Sequence, residues 1–188
     1  MQESYTLKEF IGDVDRITQG EREAARVTEQ IAPLLRRLLQ NPGEIPPEFW
    51  KRGPGRQGRY MLHRAPTFNI TAVVWGPGDG APPHNHETWG LIGVIENEIQ
   101  ETRFRRLDDR ATPGRAVLEV KEVLRNGAGA VSLLIPPDDE IHAMKNATDR
   151  NTVEIHVYGR DLTNLPRPRF DPEKQAIGSF STPNYDNC

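Results

Sequence analysis

The segment from Gly76 to Arg106 reads GPGDGAPPHNHETWGLIGVIENEIQETRFRR. It opens on turn formers, passes through two histidines one residue apart, His84 and His86, and continues into β-branched runs at 88–96 and 98–106. Gly, Pro, Asn and Asp between such runs punctuate strands rather than a helix. Runs of the same texture recur at 68–75, 116–124, 130–135, 140–147 and 151–159. Short strands at this spacing predict a mainly β protein, a sandwich or barrel of the jelly-roll type. Side chains alternate along a strand, so His84 and His86 point the same way. Two imidazoles on one face suit a shared metal ion, each presenting a ring nitrogen at about 2 Å. A solvated loop pair is an equal reading of the two histidines taken alone.

Upstream the periodicity is helical. Leu7, Phe10, Ile11, Val14 and Ile17, then Ala25, Val27, Ile31, Leu34, Leu35, Leu38 and Leu39, predict two or three N-terminal α-helices. Gly20 breaks the first, and Pro33 either kinks the second or opens a third. Pro42, Pro46 and Pro47 end the helical part. The C-terminal stretch after 165 has turn residues and little periodicity, which predicts an extended tail wrapped over the outside. At 188 residues, the expected organisation is one domain with a helical segment at 1–45, a β-barrel at 46–165 and a tail at 166–188.

Composition narrows the partners. Lys and Arg number 24 against 27 Asp and Glu, a formal net charge of -3 with no basic stripe, so a small molecule is expected rather than nucleic acid. No run approaches the ~18 apolar residues of a membrane span, and "MQESYTLKEF" lacks the order of a signal peptide, so no membrane partner and a cytoplasmic location are expected. The single cysteine, Cys188, excludes an intrachain disulfide and a cysteine-based zinc cluster.

A later run, PDDEIHAMKN (137–146), places Pro137, His142 and Asn146 in order. Glycine followed by His-x-His, and then proline, histidine and asparagine, resembles the two motifs of the cupins, whose fold is a double-stranded β-helix, or jelly-roll barrel. The resemblance spans about 72–146 with two departures. Gly90 and Leu91 stand where cupins place a glutamate ligand, and Asp139 replaces the glycine of the second motif. Three neutral imidazoles without a carboxylate resemble the thiol dioxygenase branch, the cysteine dioxygenase and 3-mercaptopropionate dioxygenase family. Glu87 is a substitute ligand by proximity, although its odd spacing from His86 turns it to the other face.

HNHETWGLIGVIENEIQETRFRR, RYMLH, FNITAVVWGPG and EIHVYG also resemble that family, so the likeness covers most of the chain. It implies His84, His86 and His142 as ligands of Fe(II), with His156 and Tyr158 beside the metal. Independently, Glu154, His156 and Tyr158 share one face of a strand, and three polar groups on an interior face need partners or a task. The family usually has serine at Glu154; a carboxylate there changes the proton inventory near the metal. Members from animals carry a cysteine near Gly90 that cross-links to the tyrosine, and its absence excludes that thioether here.

The resemblance also implies an arginine that grips the substrate carboxylate. Cysteine dioxygenases place it before the first cupin strand, where Arg59 stands; the mercaptopropionate branch draws it from the segment after HVYG, where Arg167 or Arg169 stands. Having both suggests a substrate with two anionic groups. Trp89 reads as core or pocket wall. The implied activity is oxidation of a small carboxylate-bearing thiol by O2 to its sulfinate. A cupin enzyme acting on a non-thiol substrate, as an isomerase or a ring- or carbon-cleaving dioxygenase, and a non-catalytic metal- or small-molecule-binding cupin are the competing expectations. The sequence does not specify an oligomeric state.

Overall fold

Leu7–Gly20 and Ala24–Leu39 form helices α1 and α2. Thr6 caps α1 in a reciprocal box with Glu9, satisfying donors that the first turn leaves open. Pro33 neither ends α2 nor opens a third helix; it lies within the one continuous helix. Short 3₁₀ turns at Pro42–Glu44 and Pro47–Trp50 follow. The computed structural model describes residues 4–53 and 57–188, so Arg56 of the arginine-rich segment lies outside the described residues.

Eleven strands follow among the described residues: β1 (Gly58–Arg64), β2 (Asn69–Trp75), β3 (Gly80–His84), β4 (Gly90–Glu96), β5 (Glu98–Arg106), β6 (Leu118–Gly127), β7 (Val131–Leu134), β8 (His142–Lys145), β9 (Thr152–Tyr158), β10 (Arg167–Asp171) and β11 (Ala176–Phe180). They lie in two sheets of order β1-β2-β9-β4-β7 and β11-β10-β3-β8-β5-β6. Within them β2 pairs with β9, β3 with β8, β4 with β7 and β5 with β6, all antiparallel. This nesting is that of one long hairpin wound up on itself, the jelly roll expected from the strand spacing. The residues after 165 are not a bare extended tail: β10 and β11 form a hairpin that continues the second sheet beyond β3.

Of the three apolar clusters among the described residues, two surround β9. Ile70, Ala72, Leu91, Val153, Ile155 and Val157 face α1 and α2 and pack with Phe10, Ile31, Leu35 and Leu38. Val73, Trp75, Ile92, Val94, Leu134 and Met144 fill the space between the sheets. Strand β9 is therefore buried on both faces, and its alternate residues 154, 156 and 158 are directed between the sheets. Trp89 packs against the helical layer rather than the site. No helix among the described residues is long and apolar enough to cross a membrane.

Candidate functional site

The nested pairing brings distant histidines together. His84, the last residue of β3, is the direct register partner of His142, the first of β8. His86 lies beyond the end of β3, so the two histidines do not share a continuous strand as the alternation argument assumed. Pro82 and Pro83 supply no ladder donors there. The backbone N–H groups of His86 and Glu87 instead donate to the buried Glu140 carboxylate, both at 2.9 Å. Glu87 adopts a left-handed conformation, φ 55°, and stands outside the histidine group, so it is not the substitute ligand.

The ring centroids of His84, His86 and His142 are 4.8 to 5.1 Å apart. One nitrogen from each lies within 4.8 Å of the others, a group able to hold a metal ion. The Nδ1 of His84 lies 2.8 Å from the Pro82 carbonyl and that of His142 lies 2.9 Å from Glu101. Both partners accept, so both Nδ1 atoms carry the proton and leave Nε2 free as ligand. His86 Nδ1 is buried without a hydrogen-bond partner. Three imidazoles with such nitrogens fit a divalent transition metal.

Burial, reinforced by the neighbouring imidazoles, holds the pKa of His84 and His86 well below the ordinary 6.5. Both rings are thus neutral and competent to bind metal. The unfolded chain takes up protons at these rings as pH falls through about 6.5, whereas the folded chain does not, so their contribution to stability is full above that pH and declines below it. The melting temperature of metal-free protein is expected to fall between about pH 7 and pH 5, and excess divalent metal to flatten the fall. A metal-free melting temperature independent of pH across that window contradicts this electrostatic picture.

Behind His142 stands a network that the motif reading missed. Glu101 accepts from His142, from Asn126 at 2.9 Å and from the Ser132 hydroxyl, with Arg103 at 3.5 Å. Burial opposes the Glu101 charge, but these donors outweigh it and bring the pKa down to about 2. Arg103 also reaches Asp139 at 3.1 Å, which gives the residue at the usual glycine position an ionic partner. The alternation of Ile99, Glu101 and Arg103 along β5 was the available signal. Replacing Glu101 by Gln is expected to weaken metal binding by about 10- to 100-fold, read by competition against a chelating dye; an unchanged affinity contradicts the orienting role.

On β9, Glu154, His156 and Tyr158 are all buried and connected. Trp75 Nε1 donates to Glu154 Oε2 at 2.6 Å, Glu154 Oε2 lies 3.0 Å from His156 Nε2, and His156 Nδ1 lies 2.9 Å from the Tyr158 hydroxyl. The Tyr158 ring stacks on His86 with centroids 4.9 Å apart. Burial raises the phenol's pKa far above its usual value, so it stays protonated. Gly90 is the register partner of Tyr158, and a Cβ there would lie 2.7 Å from the phenol ring. A glycine at 90 is therefore what lets this tyrosine pack flat. Asn146 stands outside the histidine group; it ties the loop after β8 to the end of β2 by donating to the Trp75 and Arg150 carbonyls.

A small cavity of about 70 Å³ opens in front of the three imidazoles. His156, Tyr158, Arg59 and Arg167 all line it, whereas Glu154 lies behind His156, 3.0 Å from its Nε2. Val73, Ile92, Met144 and Leu162 supply apolar wall, and Phe180 and Tyr185 from the C-terminal segment close one side. Arg167 is buried with its guanidinium over the Phe180 ring at 4.6 Å, while Arg169 is exposed. Of those two, Arg167 is the one at the site.

No family model matches the sequence. Among solved structures, the chain is similar to TT1209 from Thermus thermophilus at 13% identity and TM-score 0.46, covering 61% of this chain and 93% of that one. A Klebsiella pneumoniae protein with a double-stranded β-helix domain aligns at 13% identity and TM-score 0.46, over 73% of this chain and 88% of the other. A cupin superfamily protein from Desulfitobacterium hafniense aligns at 13% identity and TM-score 0.44, over 66% and 91% respectively. The jelly-roll assignment rests on the nested strand pairing, not on these likenesses.

Proposed function

We propose that the chain is a cupin-type, non-haem Fe(II) thiol dioxygenase that adds both atoms of O2 to the sulfur of a small carboxylate-bearing thiol. The net reaction, thiolate plus O2 giving sulfinate, is balanced without any further reductant. The observation that carries this reading is the buried line Glu154, His156, Tyr158 ending against a three-imidazole group that has no carboxylate among its ligands. His84, His86 and His142 would hold the iron, which when bound supplies the activation of oxygen and of the thiolate.

The chain's own groups account for the remaining chemistry. Arg167 receives the substrate carboxylate, because its guanidinium is buried and forms no ion pair among the described residues. The apolar walls exclude water and strengthen each polar contact inside. Tyr158 presents a protonated phenol beside the imidazole group. With one ring proton on His156 at Nε2, shared with Glu154, Nδ1 accepts the phenol proton. With a second proton at Nδ1, the ring donates to the phenol oxygen and frees Tyr158 O–H to donate into the cavity.

The test is oxygen uptake by protein loaded with iron, and in parallel with zinc, manganese or nickel, against cysteine, 3-mercaptopropionate, cysteamine and mercaptosuccinate. Uptake with iron alone, matched by sulfinate, is expected. Iron-loaded protein that consumes no oxygen with any thiol, or turnover of a non-thiol substrate with another metal, contradicts the proposal.

A further inference from the structure

The ladder between β3 and β8 stops at His84 opposite His142, the last and first residues of those strands. Continued in the same register, it would set residue 86 opposite residue 140. There a side chain takes the place of the backbone bond: one oxygen of Glu140 accepts from the N–H groups of both His86 and Glu87, each at 2.9 Å. Among the described residues these are the only hydrogen bonds that the two N–H groups make.

Successive N–H groups of an extended strand point to opposite edges, so two that converge on one oxygen need a turned backbone. Glu87 supplies the turn with its left-handed φ of 55°, a conformation in which consecutive N–H groups form a concavity for an anion. Glu140 is 3% exposed, and the chain on either side of it is tied. Asp139 exchanges backbone hydrogen bonds with Ile135, and the Ile141 carbonyl accepts from Phe104. His86 Nδ1 has no hydrogen-bond partner, so no side-chain bond orients the ring and its place depends on its backbone.

We infer that Glu140 is a positioning residue: its carboxylate sets His86 against His84 and His142 before any metal arrives, so that the ion meets a preassembled group. The inference rests on the three imidazoles holding a metal, not on the reaction carried out there. Groups that hold a ligand in place are typically worth about 10- to 100-fold in metal affinity.

The experiment uses metal-free full-length protein, with hydrogen exchange of the His86 and Glu87 amides read by NMR and zinc affinity read by dye competition. The native chain is expected to protect both amides without metal. Glu140→Ala is expected to lose that protection and to bind zinc about 10- to 100-fold more weakly. Glu140→Gln, which keeps an acceptor oxygen at the same reach, is expected to recover part of both. Glu140 also lines a second cavity, of about 380 Å³, with Asn85 and Glu87. Water from it can satisfy the N–H groups stranded in Glu140→Ala, so the fold is expected to survive, as a thermal melt checks.

A second pair of variants leaves Glu140 untouched. The Glu87 side chain is exposed, so its replacement disturbs no packing. Glu87→Val, whose β-branched side chain resists a positive φ, is expected to weaken zinc binding by about tenfold. Glu87→Gly takes that φ freely and is expected to keep the native affinity, although it removes the same carboxylate. Unprotected amides in the native chain, native protection or a zinc affinity within a few fold of native in Glu140→Ala, or Glu87→Gly as weak as Glu87→Val overturns the inference. The expected pattern in a protein that oxidises no thiol supports the inference and removes the dioxygenase reading.

Discussion

Replacing His86 by Ala is expected to weaken ferrous iron binding by at least about a hundredfold, roughly one ligand's share of a metal-site free energy, and to abolish sulfinate formation at stoichiometric iron. His86 is the cleanest of the three positions to test. The other two rings also hold protein partners through Nδ1, whereas His86 Nδ1 has none. Its loss therefore removes the proposed ligand without stranding a side-chain hydrogen-bond partner, apart from the lost stack on Tyr158. Metal affinity measured by dye competition, alongside the melting temperature of the metal-free variant, separates ligation from folding. An affinity within a few fold of the native value contradicts the assignment of His86 as a ligand.

The second large effect is expected at Glu154. Alanine there strands two buried donors, the Trp75 indole and the His156 ring, in a site that water does not reach. Unsatisfied buried groups cost about 1–3 kcal/mol each, and for a chain of this size a loss of about 2–3 kcal/mol lowers the melting temperature by roughly 5–10 °C. Glu154→Ser is the more informative change, because a hydroxyl retains a polar partner but no negative charge. It is expected to keep metal affinity near native while lowering the rate of sulfinate formation by about tenfold or more, within the usual range for a positioned proton-transfer line. A gain of sulfinate formation in Glu154→Ser would instead mark the carboxylate as an obstacle to turnover.

Much of this architecture was legible because the patterns concerned are local. Helical spacing from Leu7 to Leu39 and the β-branched runs separated by Gly, Asn and Asp identify most elements directly. The strands that escaped are informative. β3 carries Pro82 and Pro83 and has no apolar alternation, so its pairing with β8 is set by the wound-up topology rather than by its own residues. β10 and β11 contain Pro168, Gly178 and Ser179, and their strand character comes from docking against β3. Pro33 was ambiguous for a similar reason, since packing of α2 against the β-sheet fixes a helix that propensity alone leaves undecided.

At the site, the histidines were legible through spacing and the Glu154, His156, Tyr158 line through strand alternation. Their supports were not. Glu101, Glu140 and Trp75 read in sequence as one charged strand residue, one loop carboxylate and one core aromatic. Each acquires its role only when β5, the segment before β8 and β2 are brought against the histidines. The sequence likewise did not show that Arg167 is buried while Arg169 is exposed, or that Arg59 and Arg167 line one cavity.

The central claim, that oxygen is added to sulfur at the three-histidine site, is tested most directly with isotopically labelled dioxygen. Iron-loaded protein, given a thiol that supports oxygen uptake under ¹⁸O2, is predicted to yield a sulfinate carrying two heavy oxygen atoms, with stoichiometric oxygen consumption. Oxygen uptake that yields disulfide and hydrogen peroxide, or a sulfinate whose oxygen comes from water, would contradict it.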